Sequence, residues 1–523
     1  MPFVNRFAAG AMVLLLPSVP LSAAELRIGL AAAPTSLDPH FHNNGINNAQ
    51  ARHVFDSLTV QDANQQVQAG LAQSWALLDE TNWEFRLRPG VTFHDGAPLT
   101  AEDIVFSFTR APAVPNSPSS FGTFTKQIKK WTIVDPHTLR VETDGPAPML
   151  PIDVSMVAII SRKHGQNATT ADYQNGSAVI GTGPYRLMEH IPGDRIVYAR
   201  NERHWDVAQP WDKVTFRISA NGPARVAALL AGDVDLIAEV PTTDVARLRR
   251  QAGITLWSGV TNRMTFLSFD VHNEVPIAGN ISDNSGQPLA RNPMRDLRVR
   301  QALSLAIDRE AIVERVNEGE AVRADQLVPE RFFGYNPAIQ PEKNNPDAAR
   351  KLLAEAGYPD GFRMTLHTSN DRIVNAARTV QAIGQMWGRI GIRTTIETMP
   401  HTVYSGRTAR NELSHMLHSW GAGTGEAAGT FVGIVHTRGG AFGGSNRGRY
   451  SNPAVDAAIQ QALRTVDDEK RRAILQDTMM TVVNDKAILP LVFWVSTWAT
   501  RSGLTYEPQA NLATLAMAAR PAR

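Results

Sequence analysis

The stretch "VQAIGQMWGRIGIRTTIE", Val380 to Glu397, contains a helix pattern followed directly by a strand pattern. Apolar residues first recur three to four positions apart, the spacing of one helix face, at Val380, Ile383, Trp387 and Ile390. Gly391 is a residue type that commonly ends a helix. Apolar and β-branched residues then alternate, as on one face of a strand, at Ile392, Thr394 and Ile396. A helix that feeds a strand in this way predicts an α/β fold.

The same order of elements recurs elsewhere in the chain. In "RVAALLAGDVDLIAEV", Gly232 breaks a helix before a strand predicted over Asp235 to Val240. In "NPDAARKLLAEAGYPDGF", Asn345 is suited to cap a helix, Pro346 to its first position, and Gly357 to its end. These segments extend the α/β pattern beyond the first example.

Further amphipathic helices are predicted in "VRQALSLAIDREAIV" and "SNPAVDAAIQQAL", and a late buried strand in "AILPLVFWV". The chain has no internal repeat of fixed period. The glycine-rich "TRGGAFGGSNRGRY" resembles a nucleic-acid-binding segment only in composition, and a mobile loop is the simpler interpretation.

Length and charge limit the possible functions. The 523 residues exceed what one hydrophobic core usually serves, so we expect two or three packing units. Lys and Arg number 52 against 50 Asp and Glu, which gives a formal net charge of +2. That balance does not favour a partner bound through a phosphate backbone, and we expect no nucleic-acid partner.

The N-terminus has the pattern of an export signal. Arg6 precedes the apolar run "FAAGAMVLLL", and small residues suited to cleavage follow at Ser22 to Ala24, so we expect a mature chain that begins near Glu25. The apolar run is about half the roughly 20 residues that span a bilayer. The chain has no cysteine, hence no disulfide and no acceptor for lipid attachment. We therefore expect an untethered protein of the periplasm.

The segment "SWGAGTGEAAGTF", Ser419 to Phe431, has glycines at alternate positions and one carboxylate, Glu426. Glycine lets a ligand approach the main chain closely. "GAGTGE" is similar to a dinucleotide fingerprint, but Glu426 stands where the third glycine belongs. The chain also lacks a G-x-S-x-G nucleophile motif, so no catalytic machinery is visible.

Two histidine groups raise the question of a metal site: His40 with His42, and His415 with His418. Neither has the H-E-x-x-H pattern of a zinc protease, and no carboxylate completes either group. We expect no metal and no cofactor.

Several segments together resemble the bacterial extracellular solute-binding proteins of the peptide and nickel class, family 5, whose members are receptors for ABC importers. The clearest is "LAQSWALLDETNWEFRLRPGVTFHDGAPLTAEDIVFSF", Leu71 to Phe108. Others are "PTSLDPH", "GTGPYRL", "LLAGDVDL", "RQALSLAIDRE" and "RYSNPAVD", in the order in which the family has them. The resemblance covers nearly the whole mature chain.

The resemblance implies an α/β, two-lobed periplasmic-binding-protein fold (type II, cluster C) with an extra domain on lobe one and a two-strand hinge. Lobe one is then expected at 25–60, 181–265 and 488–523, the extra domain at 61–180, and lobe two at 266–487. The hinge strands would lie in "MTFLSFDV" and "AILPLVFWV". Because the chain must cross between the lobes twice, no single linker is expected.

In relatives that bind peptides, an aspartate in the segment aligned with Ser419 to Phe431 captures the ligand's ammonium group. Trp420 matches the tryptophan of that segment, but Gly423 stands at the aspartate's position. The "TGEA" pattern resembles the glutathione-binding branch, and two roles stay open for Glu426: binding the ligand's cation, or bonding local backbone amides.

Other residues implied by the resemblance contact the ligand through main chain or side chain. Gly421, Gly423 and Thr424 would present backbone and a hydroxyl, with Trp420 as an apolar wall, although a tryptophan here also serves core packing.

Two further contact sites are expected outside this segment. Asn43, Asn44 and Gly45 match a main-chain contact site, the alternative being a solvent turn. Arg372 lies near the position from which dipeptide-binding relatives reach the ligand carboxylate, the alternative being a surface arginine.

The function implied is that of a monomeric, non-enzymatic receptor that captures a peptide or peptide-like solute and delivers it to an ABC permease of the inner membrane. A receptor of the same fold for a nickel chelate, haem, opine or sugar is the alternative within the family. A secreted hydrolase that uses the scaffold is an alternative of a different class, since fold alone does not decide function.

Overall fold

The computed structural model describes residues 24–522. The predicted signal peptide, up to the cleavage expected near Ala24, lies outside the described residues except for Ala24 itself. Within residues 24–522, the helices are too short or too polar to cross a membrane.

The strands that carry the fold are, in chain order, β1 (Glu25–Leu30), β2 (Thr59–Gln61), β3 (Val67–Ala69), β4 (Ala72–Asp79), β5 (Asn82–Leu87), β6 (Ile128–Asp135), β7 (Thr138–Thr143), β8 (Tyr185–Ile191), β9 (Arg195–Arg200), β10 (Lys213–Ile218), β11 (Leu236–Ile237), β12 (Ile254–Phe269), β13 (Ile281–Ser282), β14 (Ala321–Arg323), β15 (Arg363–Ser369), β16 (Arg393–Met399), β17 (His415–Gly421), β18 (Ile488–Arg501), β19 (Leu504–Tyr506) and β20 (Ala519–Pro521).

The α-helices are α1 (Gly45–Val54), α2 (Ala101–Arg110), α3 (Gly122–Thr125), α4 (Leu150–Asp153), α5 (Arg162–Gly165), α6 (Thr170–Gln174), α7 (Gly222–Ala231), α8 (Thr242–Leu248), α9 (Leu297–Leu305), α10 (Arg309–Ala311), α11 (Pro346–Glu355), α12 (Ala376–Gly388), α13 (His401–Ala409), α14 (Ala427–Thr430), α15 (Pro453–Ala462) and α16 (Asp468–Asp485). Short 3-10 turns lie at Ala111–Ala113, Val154–Met156, Pro293–Arg295 and Ala516–Ala518, and π-helical turns at Ile312–Val316 and Phe431–Val435.

Two long antiparallel strands, β12 and β18, join two lobes through one continuous twelve-stranded sheet. The first half of β12 and the second half of β18 lie in the first lobe with β11, β1, β10, β9 and β8. The second half of β12 and the first half of β18 lie in the second lobe with β17, β15, β13, β16 and β14. The chain therefore crosses between the lobes on paired strands.

The pairing of these two strands shifts register at the crossing. Val260 pairs with Val495 and the next pair is Met264 with Phe493, so residues 261–263 form an irregularity of the strand. An irregularity of this kind interrupts the ladder and bends the strand locally. The predicted hinge segment "MTFLSFDV" begins at Met264, directly after this break, and the pairing with β18 shifts a second time between Thr265 and Phe266.

A separate four-stranded antiparallel sheet, in the order β4-β5-β7-β6, has its own core. We call this sheet, with the helices α2, α3 and α4, the extra domain. Fully buried residues such as Phe85 and Ile104 fill the space between its sheet and α2. The hairpin of β2 and β3 is bonded to it, since Thr59 Oγ1 donates to the Pro151 carbonyl at 2.5 Å.

Each lobe has its own apolar interior. Ile28, Phe216 and Trp498 lie in the core of the first lobe. The second lobe has two clusters, one beneath α9, α11 and α12 and one beneath α15 and α16. Separate cores allow the lobes to move as units about the crossing strands.

The helix and strand predicted in Val380 to Glu397 are present as α12 and β16. Val380, Ile383 and Trp387 are fully buried, and the Trp387 indole donates to the Leu303 carbonyl at 2.9 Å. The helix ends at Gly388, three residues before the predicted stop, because the chain turns before Gly391, whose φ is +89°.

The helix capped by Asn345 is α11, with the Asn345 side chain accepting from Ala348 N at 3.0 Å. The strand predicted over Asp235 to Val240 is shorter and covers only Leu236–Ile237. The extended strand ends early because Glu239 has a φ of +52°, a left-handed conformation that a strand does not accommodate. The loop predicted to be mobile has internal order, because the Asn446 side chain donates to the carbonyls of His436 and Tyr450.

Candidate functional site: the cleft between the lobes

A cavity of about 870 Å³ lies where the two lobes and the extra domain meet. Its lining includes the start of α1, residues 204–209, the register break of β12, the segment 420–424, and residues 121–124 of the extra domain. This volume is within the range of roughly 300–1,000 Å³ usual for small-molecule sites. All three parts of the fold thus contribute to one concave site.

The predicted cleft segment forms one wall of this cavity. Trp420, Gly421, Gly423 and Thr424 all line it, and β17 ends at Gly421, which pairs with Arg263 of β12. The segment is therefore positioned by the sheet on one side and turns away from it into the cavity.

The Trp420 indole packs against the protein and also lines the cavity. It packs on the backbone of Gly433, where an added Cβ would lie 2.5 Å from the ring, so a glycine is needed there for close approach. Its Nε1 donates to Thr430 Oγ1 at 3.2 Å, and its partly buried ring faces the cavity. Packing thus fixes the orientation of an aromatic wall.

Asn43, Asn44 and Gly45 line the opposite side of the cavity. Asn44 caps α1, and its side chain accepts from Ile46 N at 3.1 Å and Asn47 N at 3.0 Å. The side-chain oxygen Oδ1 of Asn43 accepts from Asn48 Nδ2 at 2.9 Å. The side chains of Asn43 and Asn44 therefore bond to neighbouring residues of α1, and the N-terminal end of this helix lines the cavity.

Glu426 is placed differently from both roles considered for it. Its side chain is 1% exposed, does not line the cavity, and lies behind the cleft wall at the start of α14. Both carboxylate oxygens accept from Arg471 Nη1, at 3.0 and 2.9 Å, and the side chain makes no bond to the helix amides. Burial raises the pKa of Glu426, and the adjacent Arg471 guanidinium opposes that rise. Its partner among the described residues is the Arg471 side chain of α16.

Arg372 is exposed and does not line the cavity. The arginine that does line this wall is Arg263, which the sequence-based prediction did not include. Its only visible signal was a basic residue within an otherwise uncharged strand, "VTNRMTFLSF".

A second contact absent from the prediction joins the β2–β3 hairpin to the cleft segment. The side-chain amide of Gln65 donates to the carbonyls of Ala422 at 3.3 Å and Gly423 at 2.8 Å. Gly425 fits beneath it with φ +72°, and a Cβ there would lie 2.5 Å from the Gln65 carbonyl oxygen. The hairpin and the second lobe are thus in contact across one side of the cleft.

Two acidic residues line the cavity, Asp56 and Asp206, and Asp56 has its own protein partners. Its Oδ2 accepts from Trp205 Nε1 at 2.9 Å and Thr182 Oγ1 at 2.8 Å, and His204 Nε2 lies 3.7 Å away. Burial works to raise the pKa of Asp56, but the bonds from these neighbours outweigh it and lower the pKa. The carboxylate is therefore held ionised by the protein.

The histidine pairs have structural partners. His40 donates to the Ala158 carbonyl at 2.8 Å, and His415 Nδ1 lies 3.0 Å from the Thr365 carbonyl. Burial lowers the pKa of His40 to about 4 and that of His418 to about 3. Among residues 24–522, no three His, Asp or Glu side chains converge as a metal site.

The family model for bacterial extracellular solute-binding proteins, family 5, matches residues 66–442. The chain belongs to this family. It is similar to the heme-binding protein A of Haemophilus influenzae, with 26% identity over 88% of this chain and 85% of that protein. It is also similar to the glutathione-binding protein GsiB of Salmonella paratyphi A, with 26% identity over 90% of this chain and 89% of that protein.

Among solved structures, the periplasmic murein tripeptide binding protein MppA in its unliganded open form matches with a TM-score of 0.80 and 22% identity. The match covers 96% of this chain and 98% of MppA. The two-lobed α/β fold expected from the sequence is confirmed. In this family member, the cavity described above lies between the lobes.

Proposed function

We propose that this protein captures a short peptide or peptide-like solute in the cavity between its lobes and delivers it to the permease of an ABC importer. The observation that carries the proposal is the 870 Å³ cavity, whose walls come from both lobes and the extra domain. A ligand that contacts both sides of a two-strand crossing stabilises the closed arrangement, because its binding energy differs between the open and closed states.

The lining of the cavity suits an extended polar chain. Glycines of the segment 420–424 bring main chain to the surface, and Trp420 offers an apolar face beside them. Backbone hydrogen bonds to an extended ligand, with pockets for alternate side chains, are the general mode of strand-like peptide recognition. Asn43, Asn44, Gly45 and Thr424 are proposed to contribute from the two opposite walls.

The proposal includes the location and division of the chain. We propose that the mature protein begins near Glu25 in the periplasm. We also propose that lobe one comprises 25–60, 181–265 and 488–523, the extra domain 61–180 and lobe two 266–487, with β12 and β18 extending across the boundaries between the lobes. Sequencing of the N-terminus of the protein recovered from the periplasmic fraction tests the first part. An intact Met1, or recovery only with membranes, would contradict it.

The ligand class is tested by stripping the purified protein of bound solutes through unfolding and refolding. The protein is then incubated with a mixture of di- to pentapeptides, and the retained molecules are identified by mass spectrometry. Retention of defined peptides, unchanged after release, supports the proposal. Retention of a nickel chelate, haem, an opine or a sugar from a parallel mixture, with no peptide retained, supports the alternative receptor function. Release of cleaved peptides would instead indicate a hydrolase.

A further inference from the structure

Arg263 lies at the crossing between the lobes, in the register break of β12. Its side chain is half-buried and lines the cavity. The guanidinium lies over Gly421, since a Cβ added to that glycine would lie 3.9 Å from the guanidinium carbon. The ring centroid of Trp494 is 5.6 Å from the same carbon. Arg263 is therefore held between a glycine of the cleft wall and an aromatic ring.

No acidic side chain within residues 24–522 forms an ion pair with Arg263, and its guanidinium donates no hydrogen bond to these residues. Burial and the nearby positive charge of Arg372 both lower the pKa of Arg263. The environment of Arg263 therefore destabilises its positive charge. The side chain still carries this charge, because arginine remains protonated at neutral pH.

The other arginines of the cavity differ in this respect. Arg52 Nη2 donates to the Gln61 carbonyl at 3.0 Å, and Arg520 Nη1 donates to Gln209 Oε1 at 2.9 Å. Asp56, the buried carboxylate of the same cavity, is bonded to Trp205 and Thr182 and does not pair with Arg263. Arg263 thus differs from the other arginines because its guanidinium N–H groups have no acceptor among the described residues.

A partly desolvated charge without a partner lowers stability, so its presence in a binding cavity indicates a partner that arrives with the ligand. The planar guanidinium fork matches the two oxygens of a carboxylate. Thr424 lines the same cavity, and its buried Oγ1 has no hydrogen-bond partner among the described residues.

We propose that Arg263 binds a carboxylate of the ligand and selects for solutes that carry one at the hinge end of the cavity. This inference rests on the proposed function for the location of the ligand, but not on the ligand being a peptide. The carboxylate is the C-terminus of a peptide, an acidic side chain, or the acid group of a non-peptide solute.

The test uses four matched sets of compounds offered to the stripped wild-type protein. One set contains tripeptides without Asp or Glu as free acids, and the second contains the same peptides as C-terminal amides. The third contains amidated tripeptides with Asp or Glu, and the fourth contains non-peptide organic acids with their amides. Retained compounds are identified by native mass spectrometry and their affinities measured by calorimetry.

We expect the wild type to retain compounds with a carboxylate and to bind the matched amides about 100-fold more weakly, as for loss of a buried charge pair. Arg263→Gln should bind the acids as weakly as the wild type binds the amides, with no further loss for the amides. Arg350→Gln is the matched control, since this arginine lies on α11, is half-exposed and does not line the cavity. The control should bind like the wild type.

Retention of acids from the fourth set alone would support the role of Arg263 and contradict the proposed peptide function. Equal affinity of the wild type for acids and amides would overturn the role of Arg263 while leaving peptide binding intact. Failure to retain any carboxylate-bearing compound would overturn it as well.

The stability of the unliganded protein gives an independent readout that a purely structural arginine would not show. Arg263→Gln should raise the melting temperature of the stripped protein, because the unpaired charge is removed, and should abolish the further rise that a retained acid causes in the wild type. A lower melting temperature without ligand would indicate that Arg263 has a structural role and would contradict the inference.

Discussion

Replacement of Glu426 by glutamine removes the counter-charge of a buried arginine. Glu426 and Arg471 are 1% and 6% exposed, and both carboxylate oxygens accept from the same guanidinium nitrogen. The Arg471 guanidinium also lies 4.3 Å from the ring centroid of Phe333, and its Nη2 donates to Asp468 at 3.4 Å. The pair joins α14, beside the cleft segment, to α16 in the second lobe.

The magnitude follows from what remains around Arg471. Loss of one partner of a buried ion pair costs about 3–5 kcal/mol, because the other charge is left unpaired. Asp468 stays close but is 73% exposed and screened by solvent, and the Phe333 ring offers a cation–π contact. Both contacts reduce the cost of the unpaired charge, so we expect Glu426→Gln to lower the free energy of unfolding by about 3 kcal/mol. In a unit of about 200 residues this lowers the melting temperature by about 6–12 °C.

Thermal unfolding by calorimetry measures the effect, with three comparison variants. Arg471→Met should destabilise to a similar extent, because it leaves a buried carboxylate unpaired. The double variant Glu426→Leu with Arg471→Met should lose much less than the sum of the two single losses. Asp468→Asn should change stability by less than about 0.5 kcal/mol, as is usual for exposed pairs.

Binding separates this account from the ligand-anchor role considered for Glu426. If Glu426 only supports the wall, Glu426→Gln should change the affinity equally for a retained peptide and its N-acetylated form. A melting temperature within about 1 °C of the wild type, with a loss confined to the peptide that has a free amino group, would refute the structural role and favour the anchor.

Two other predictions concern groups that support the first lobe and the cleft wall. Burial lowers the pKa of His53 to about 4 from 6.5, and its Nε2 accepts from Ala516 N at 3.0 Å, so the unfolded chain binds the proton more readily between these pH values. The stability that His53 contributes above pH 6.5 is therefore lost as the pH falls, by about 3 kcal/mol at pH 4. Calorimetry at pH 7 and 4.5 should show that the melting temperature of His53→Gln depends less on pH than that of the wild type. The same pH dependence in the variant would contradict this. Gly433→Ala places a Cβ 2.5 Å from the Trp420 ring, so it should destabilise by about 1–3 kcal/mol and weaken binding of a retained peptide in calorimetry, whereas unchanged affinity would exclude Trp420 from the ligand wall.

The α/β fold was predictable because its signals are local. The spacing of Val380, Ile383 and Trp387 reports the buried face of α12 directly, and all three are fully buried. The length of β11 was not predictable, because the apolar pattern does not reveal the left-handed conformation of Glu239, whose φ is +52°. Local periodicity does not contain such backbone conformations.

The cleft segment was found from sequence because its glycines and Trp420 are contiguous, and the structure places them on the cavity wall. The role of Glu426 could not be found in that way, because its partner Arg471 lies 45 positions later on another helix. Gln65 contacts Ala422 across 357 positions, and Arg263 is a single charged residue in a strand whose sequence does not show what it faces. The role of a charged side chain depends on which residues it contacts, and these contacts join positions that are distant in the sequence.

The most direct test of the central claim is a distance measured across the cleft. The chain has no cysteine, so Met188→Cys on β8 and Val403→Cys on α13, which are 62% and 50% exposed in the native side chains, can carry the only two spin labels. Pulsed electron resonance then compares the stripped protein with the protein saturated by a retained peptide. The account predicts that the distance distribution narrows and shifts on binding, whereas superimposable distributions at saturation would contradict closure of the lobes around the ligand.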